Sequence, residues 1–299
     1  MTVRFRVSPV LVSLFLAAAM LAPRAAAAVN LVPNPSFELY SGCPTGYGQF
    51  FQTVAWNEPN TGTSDLFNAC APTGFPSVSV PTNTSGVQAA NTGVGYAGII
   101  PFSPAPDYRE YVQAQLSSPL AGGNTYQVSF WVSLADTSLF AIDRLGAHFS
   151  IGPISTGTNT TLLVTPQVES PVNVALDNST GWTQVSGTFV AVGGESHIIV
   201  GSFRDDASTN TSPGPSVWPG GAYYYIDDVS VELVPQQVDQ ACCLPNGGCV
   251  LLTPNECTAQ GGTPLGVGVA CGSGSGGDDP CGPTPATRAS WGSVKGIYR

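Results

Sequence analysis

The stretch Thr125–Leu134 alternates strictly. Tyr126, Val128, Phe130, Val132 and Leu134 fall on one side of an extended chain, and Gln127, Ser129, Trp131 and Ser133 on the other. A period of two places one set in a core and the other away from it, which a helix cannot do. The pattern recurs. Leu145, Ala147, Phe149 and Ile151 alternate with His148 opposite, and Val112, Ala114 and Leu116 with Tyr111, Gln113 and Gln115 opposite. Residues 96–101, 182–190, 197–203 and 223–233 read as further strands, and no stretch longer than two turns carries a helical apolar stripe. Gly and Pro, 35 and 26 of 299 residues, punctuate these runs, while only 9% of side chains are charged. That composition excludes a coiled coil or helical bundle, and 42% hydrophobic residues exclude wholesale disorder. Many short half-polar strands predict two antiparallel sheets packed as a sandwich.

Charge narrows the partners. Arg4, Arg6 and Arg24 lie in the first 28 residues, which hold no acid; beyond them stand six basic against 19 acidic side chains, and Lys295 is the only lysine. Counterion-release binding needs clustered Lys and Arg, so nucleic acid is excluded and anionic membrane surfaces are disfavoured. Residues 1–28 read as a secretory signal: Arg4 and Arg6, a short apolar run from Val10 to Leu21, then Ala26-Ala27-Ala28 before a cut near Val29. The run is too short to span a bilayer, so no membrane insertion is expected and the mature chain belongs outside the cytoplasm.

The eight cysteines suit an oxidising compartment. Cys43 and Cys70 stand alone in their half of the chain and are expected to bridge. Cys242, Cys243, Cys249, Cys257, Cys271 and Cys281 crowd the other end, where 15 pairings stay open. Their spacing lacks paired C-x-x-C ligands or nearby histidines, which argues against zinc. The predicted organisation is a signal (1–28), a sandwich (29–235), a polar linker (236–240) and a cysteine-rich segment (241–281). A Pro/Gly-rich tail (282–299) ends in Trp291-Gly292-Ser293-Val294-Lys295-Gly296-Ile297-Tyr298-Arg299.

Two end motifs carry a resemblance. Asn30-Leu31-Val32-Pro33-Asn34-Pro35-Ser36-Phe37-Glu38 resembles the opening strand of carbohydrate-binding-module jelly rolls of families 4, 9 and 22. Tyr225-Ile226-Asp227-Asp228-Val229-Ser230-Val231 resembles their closing strand. Residues 108–113, 132–138 and 142–150 resemble galactose-binding-like domains of secreted bacterial surface proteins. The cysteine-rich run resembles a short repeat near the ends of such proteins. The resemblance covers roughly 30–234 and implies an all-β jelly-roll sandwich followed by a small disulfide-rich segment. It also implies a structural calcium between first and last strands, with Glu38 and Asp227 or Asp228 as the matching acids.

An extracellular glycan or polysaccharide is the expected partner. Sugars are held by an aromatic face with side-chain amides nearby, and Trp131 lies on the polar side of its strand. If the alternating strands are neighbours, Tyr111, Gln113, Gln115, Gln127 and His148 share that face with it. The alternative is a second packing layer, with a loop over that face and Trp131 buried. Trp56 and Trp182, near strand ends, read as core or hinge. Arg109, Arg144 and Arg204 adjoin Glu110, Asp143 and Asp205 and read as structural ion pairs. Catalysis is not expected. The chain has only His148 and His197, no G-x-S-x-G, and its adjacent acids Asp205-Asp206 and Asp227-Asp228 would point opposite ways in a strand. The competing reading is a structural or adhesive surface protein that meets a cell-surface protein and binds no sugar.

Overall fold

The computed structural model describes residues 29–216, 220–235, 237–272 and 280–281. The predicted signal (1–28) and tail (282–299) lie outside the described residues. In chain order the first strands are β1 (Trp56–Asn57), β2 (Asp65–Asn68), β3 (Thr82–Asn83), β4 (Gly86–Val87), β5 (Gly95–Phe102), β6 (Val112–Gln115) and β7 (Thr125–Leu134). Then follow β8 (Phe140–Ile142), β9 (Leu145–Ser150), β10 (Val168–Glu169), β11 (Thr183–Val190), β12 (His197–Ser202), β13 (Thr211–Pro213) and β14 (Ala222–Leu233). The expected strands at 96–101, 182–190, 197–203 and 223–233 are β5, β11, β12 and β14. The alternation of β9 holds through Phe149, but Ile151 lies past the strand end and is 74% exposed.

Two five-stranded antiparallel sheets form the sandwich, one in the order β1-β6-β12-β9-β10 and the other β11-β7-β14-β5-β2. The long strands change sheet at nearly every step: β5, β7, β11 and β14 belong to the second sheet, β6, β9 and β12 to the first. This is a jelly roll. Hydrogen-bonded neighbours are therefore remote in sequence, and sequence neighbours pack face to face. One continuous core fills the gap, with Val112 and Ala114 of β6, Val128, Phe130 and Val132 of β7, Leu145 and Ala147 of β9, and Ile226 and Val231 of β14. Each Val, Leu, Ile or Phe among them contributes about 1.5–3 kcal/mol by leaving water.

The expected Cys43–Cys70 bridge is present, with Cα atoms 5.9 Å apart. In the C-terminal segment Cys242 pairs with Cys257, Cys243 with Cys281 and Cys249 with Cys271. These staple a small sheet of β15 (Gln240–Cys243), β16 (Cys249–Leu252) and β17 (Thr263–Pro264) around the helix α1 (Pro254–Ala259). The reciprocal Thr253–Glu256 capping box starts that helix. Gln240, read as linker, opens β15 opposite Leu252. Among the described residues no helix is long and apolar enough to cross a membrane.

Candidate functional site

The six residues expected on one sugar-binding face do not share one. Trp131 and Gln127 are on β7 of the second sheet; Tyr111 and the β6 residues Gln113 and Gln115 belong with the first sheet, as does His148 of β9. Alternation tells which side of a strand faces the core, but not which sheet holds the strand. Because β7 packs across the core from β6 and β9, its polar side points out of the opposite surface from theirs.

The first sheet's outer surface is largely closed by the segment 151–167. Tyr111 is fully buried; its hydroxyl donates to Ser202 O (2.6 Å) and accepts from Leu162 N (3.0 Å). Gln113 is buried and clamps the backbone of Ile154. Its Oε1 accepts from Ile154 N (2.8 Å), and its Nε2 donates to Ile154 O (3.3 Å) and Asn57 Oδ1 (2.7 Å). His148 Nδ1 donates to Thr165 O (2.8 Å), which fixes its tautomer. These three hold the covering segment. Gln115 alone of the set is exposed there.

The second sheet's outer surface is divided. One half is an aromatic layer of Phe67, Tyr96 and Tyr225 with Trp182 and Tyr223 against it, covered by the segment that Cys43–Cys70 staples. The other half is open. Register places three rows across β11, β7 and β14: Gln184–Trp131–Asp227, Ser186–Ser129–Ser230 and Thr188–Gln127–Glu232. A bulge in β14 between Asp227 and Ser230 keeps the rows aligned. Gln127, Gln184, Ser186 and Thr188 are exposed and Trp131 is half-buried. The covering layer thus stops short of Trp131.

The tryptophans separate by what the fold asks of them. Trp56 donates its indole N–H to Asn34 O (3.0 Å) and packs on Phe37, and Trp182 donates to Ala89 O (2.9 Å) and packs edge-on to Tyr96. Both are structural, as their positions near strand ends suggested. Trp131 has neither a hydrogen bond to its indole N–H nor an aromatic partner among the described residues. The polar companions on β11 and β14 were not legible in the sequence, because nothing short of register says which strands flank β7.

Beside the first row lies the acidic junction formed by the two end motifs. Asp227 is fully buried; its Oδ2 accepts from Asn91 N (2.9 Å) and Thr92 N (3.2 Å), and burial together with the Asp228 charge pushes its pKa up to about 8. Asp228 Oδ1 accepts from Ser36 Oγ and Thr92 Oγ1 and its Oδ2 from Asn91 Nδ2, each at 2.5 Å. Asp228 and Phe37 both have left-handed backbone, at φ 47° and 59°. For Phe37 this is a genuine strain, held by burial of its ring against Phe50 and Trp56. Glu38 is differently employed: its Oε1 accepts from Val94 N (2.8 Å) and Gly95 N (2.9 Å) and so clamps the same loop. Among the described residues no three His, Cys, Asp or Glu side chains form a metal cluster.

A second acidic group, unforeseen in the sequence, ties the stapled segment to the sheet. Asp65 accepts from Gly48 N and Tyr223 Oη, both at 2.5 Å. Glu58 accepts from Ser64 N (2.6 Å), and Glu110 from Thr63 N, Ile100 N and Tyr108 Oη. Burial first, then mutual repulsion, pushes Asp65 up to about 8 and Glu58 to about 7, and burial raises Glu110. Carboxyls whose folded pKa lies above the unfolded value of about 4 favour folding fully below that value, and the contribution is lost as pH rises towards 8. Without calcium, the melting temperature at pH 5.5 is therefore expected to exceed that at pH 8.5 by on the order of 5 °C. Asp65→Asn should flatten the profile, and a melting temperature that rises with pH would refute the assignment.

The arginines form ion pairs, two of them with acids remote in sequence. Arg109 meets Asp206 (2.9 Å), Arg204 grips Glu169 with two nitrogens (2.9 and 2.7 Å), and Arg144 meets Asp143 (3.5 Å).

No known family profile matches the chain, and no curated protein matches it in sequence. Among solved structures it is similar to a cyclase from Fischerella sp. TAU, at 12% identity and a TM-score of 0.40, over 70% of this chain and 98% of that one. It is also similar to the CBM22-1 xylan-binding domain of Paenibacillus barcinonensis Xyn10C, at 14% and 0.37, over 71% and 99%. A third is the K1 cleaved adhesin domain of Lys-gingipain from Porphyromonas gingivalis W83, at 14% and 0.33, over 61% and 92%. Family 22 is among those whose end strands the sequence resembles. TM-scores below 0.5 leave ligand and chemistry to the residues of this chain.

Proposed function

We propose that this is a secreted, non-catalytic protein that binds an extracellular polysaccharide on the open half of the second sheet. The observation that carries it is the set of three polar rows around Trp131, on a face that the covering layer leaves open. From Trp131 to Gln127 the face runs about 14 Å, and three strands make it about 10 Å wide. It is a rigid platform for a short stretch of sugar chain. The indole supplies an apolar surface and a free N–H, while Gln127, Gln184, Ser129 and Ser186 supply donors and acceptors for hydroxyls. Its acids suit structure better than bond cleavage. Asp227 is buried under two backbone N–H groups, and Glu232 accepts from Ser230 Oγ (3.0 Å). The disulfides favour an oxidising, extracellular setting.

A glycan array probed with the intact secreted chain, in calcium, tests the reading. Reproducible binding to one polysaccharide class is expected. A blank array from folded protein would overturn it and favour the adhesive surface-protein alternative.

Calcium is part of the proposal. Asp228, Ser36 Oγ and Thr92 Oγ1 bring together oxygen donors of the kind a hard cation takes, beside the Asp227 carboxyl, whose raised pKa a cation would lower. These residues would hold the ion, and Glu38 would position the loop rather than ligate. Its contribution when bound is charge neutralisation that locks three chain segments together. Calcium at a hundredfold excess over its dissociation constant is expected to raise the melting temperature by about 5–10 °C over protein in chelator. Asp228→Asn should abolish the rise. Equal melting temperatures with and without calcium would refute the site.

A further inference from the structure

We propose a second ligand site, at the edge of the first sheet, that takes a single neutral sugar ring. A cleft of about 570 Å³ opens there between Ala55, Trp56 and Asn57 on one side and Gln115, Leu116, Pro153 and His197 on the other. It is built by register. Gln115 of β6 pairs with His197 of β12, β1 flanks β6 on its other side, and Pro153 lies near the start of the covering segment. The volume lies within the range of small-molecule sites.

His197 is the decisive group. It is 92% buried, as its 8% exposure shows, yet the fold uses only one of its nitrogens. Ser196 Oγ donates to Ile151 O (2.5 Å), so the same oxygen is free to accept, and Nδ1–H of His197 donates to it at 2.9 Å. That fixes the tautomer and leaves Nε2 a bare acceptor in the lining of the cleft. Burial lowers the pKa of the ring, which favours the neutral form. Nε2 is not among the buried unpartnered atoms, so a ligand hydroxyl can reach it from the cleft. Two more polar groups face the same space. The Gln115 carboxamide is exposed and has no protein partner among the described residues. Asn57 uses its Oδ1 on Gln113 and keeps its amide N–H groups free.

The lining sets the ligand class. It contains no Lys, Arg, Asp or Glu, so it neither attracts nor neutralises a charged ligand. One bare acceptor, one free amide donor group and one amide offering both match a set of vicinal hydroxyls. The exposed Pro153 and Ala55 give an apolar wall for the C–H side of a pyranose. The site is on the sheet opposite Trp131 and stands independently of the reading given to that face.

The test is nitrogen-15 NMR of the intact chain labelled at histidine, titrated with D-glucose, D-galactose, D-xylose and D-mannose in turn. At least one of these is expected to shift His197 Nε2 at millimolar concentration. Gln115→Ala, which removes no contact of the fold, should weaken that binding about tenfold. Trp131→Ala should leave it unchanged. Binding should fall with acidification, because protonated Nε2 no longer accepts. The groups facing His197 are Gln115 from β6, Ser150 from β9, Ser196 beside it and Pro153 above, none of them charged, so this titration belongs to the ring itself. No shift with any of the four sugars, or a shift that Gln115→Ala leaves intact, would overturn the proposal.

Discussion

Trp131→Ala is expected to lower polysaccharide affinity by at least about thirtyfold, the loss typical of an aromatic anchor at the centre of an interface. The melting temperature should change by no more than a degree or two. The asymmetry follows from how little the fold uses this indole: its ring is half-buried, its N–H has no acceptor and no other ring packs on it. Trp182→Ala is the matched control. Its N–H bond to Ala89 O and its contact with Tyr96 hold the covering layer in place, so that variant should lose stability. Isothermal titration with the polysaccharide found on the array, together with thermal melts, separates the two. Unchanged affinity for Trp131→Ala would remove the open face from the proposed function. A large loss of stability would mean that the ring is packing after all.

Most of the sandwich was legible in the sequence because it rests on a local rule. Alternation in 112–116, 125–134 and 145–149 names the core-facing side chains without knowledge of the topology, and those side chains are in the core. The site was legible only in part, because it depends on pairing. Trp131 stood out as a large aromatic on a polar side, but its companions come from β11 and β14, more than fifty residues away. Of the residues it was grouped with, Gln127 shares its face, while Tyr111, Gln113, Gln115 and His148, also close in sequence, are on the opposite sheet. The jelly roll makes this error systematic, since successive strands change sheets. The junction of Glu38 with Asp227 and Asp228 was foreseen only through the end motifs. The loop Asn91–Gly95, which occupies those carboxylates, carries no pattern that would announce it. The buried acids Glu58, Asp65 and Glu110 were equally silent: a lone acid in a polar stretch looks like any solvated side chain until its neighbours are known.

Arg109→Ala is expected to cost about 3–5 kcal/mol and to lower the melting temperature by on the order of 10 °C, although Arg109 adjoins no proposed ligand. Arg109 is fully buried in a chain with few cations. Its guanidinium meets Asp206, donates to Tyr108 O (2.8 Å), to Arg204 O from two nitrogens (3.2 and 2.9 Å) and to Thr209 Oγ1 (3.3 Å), and lies 5.4 Å from the centre of the Phe102 ring. Truncation leaves two carbonyls and a carboxylate without their donor and opens a void in the layer beneath. Its neighbour in sequence, Glu110, points the other way, to Thr63 and Ile100, as successive residues of an extended chain must. Arg144 does reach the adjacent Asp143, but there the backbone turns through φ 55° and alternation is broken. Arg109→Lys keeps the charge but not the planar fork, so it should fall between wild type and alanine. Asp206→Asn should cost less than Arg109→Ala, since Asp206 is partly in solvent and Arg109 keeps its carbonyl partners. Thermal melts of the three variants decide the matter. If Arg109→Ala melts within two or three degrees of wild type, the buried guanidinium is not what secures the 204–209 turn against the first sheet.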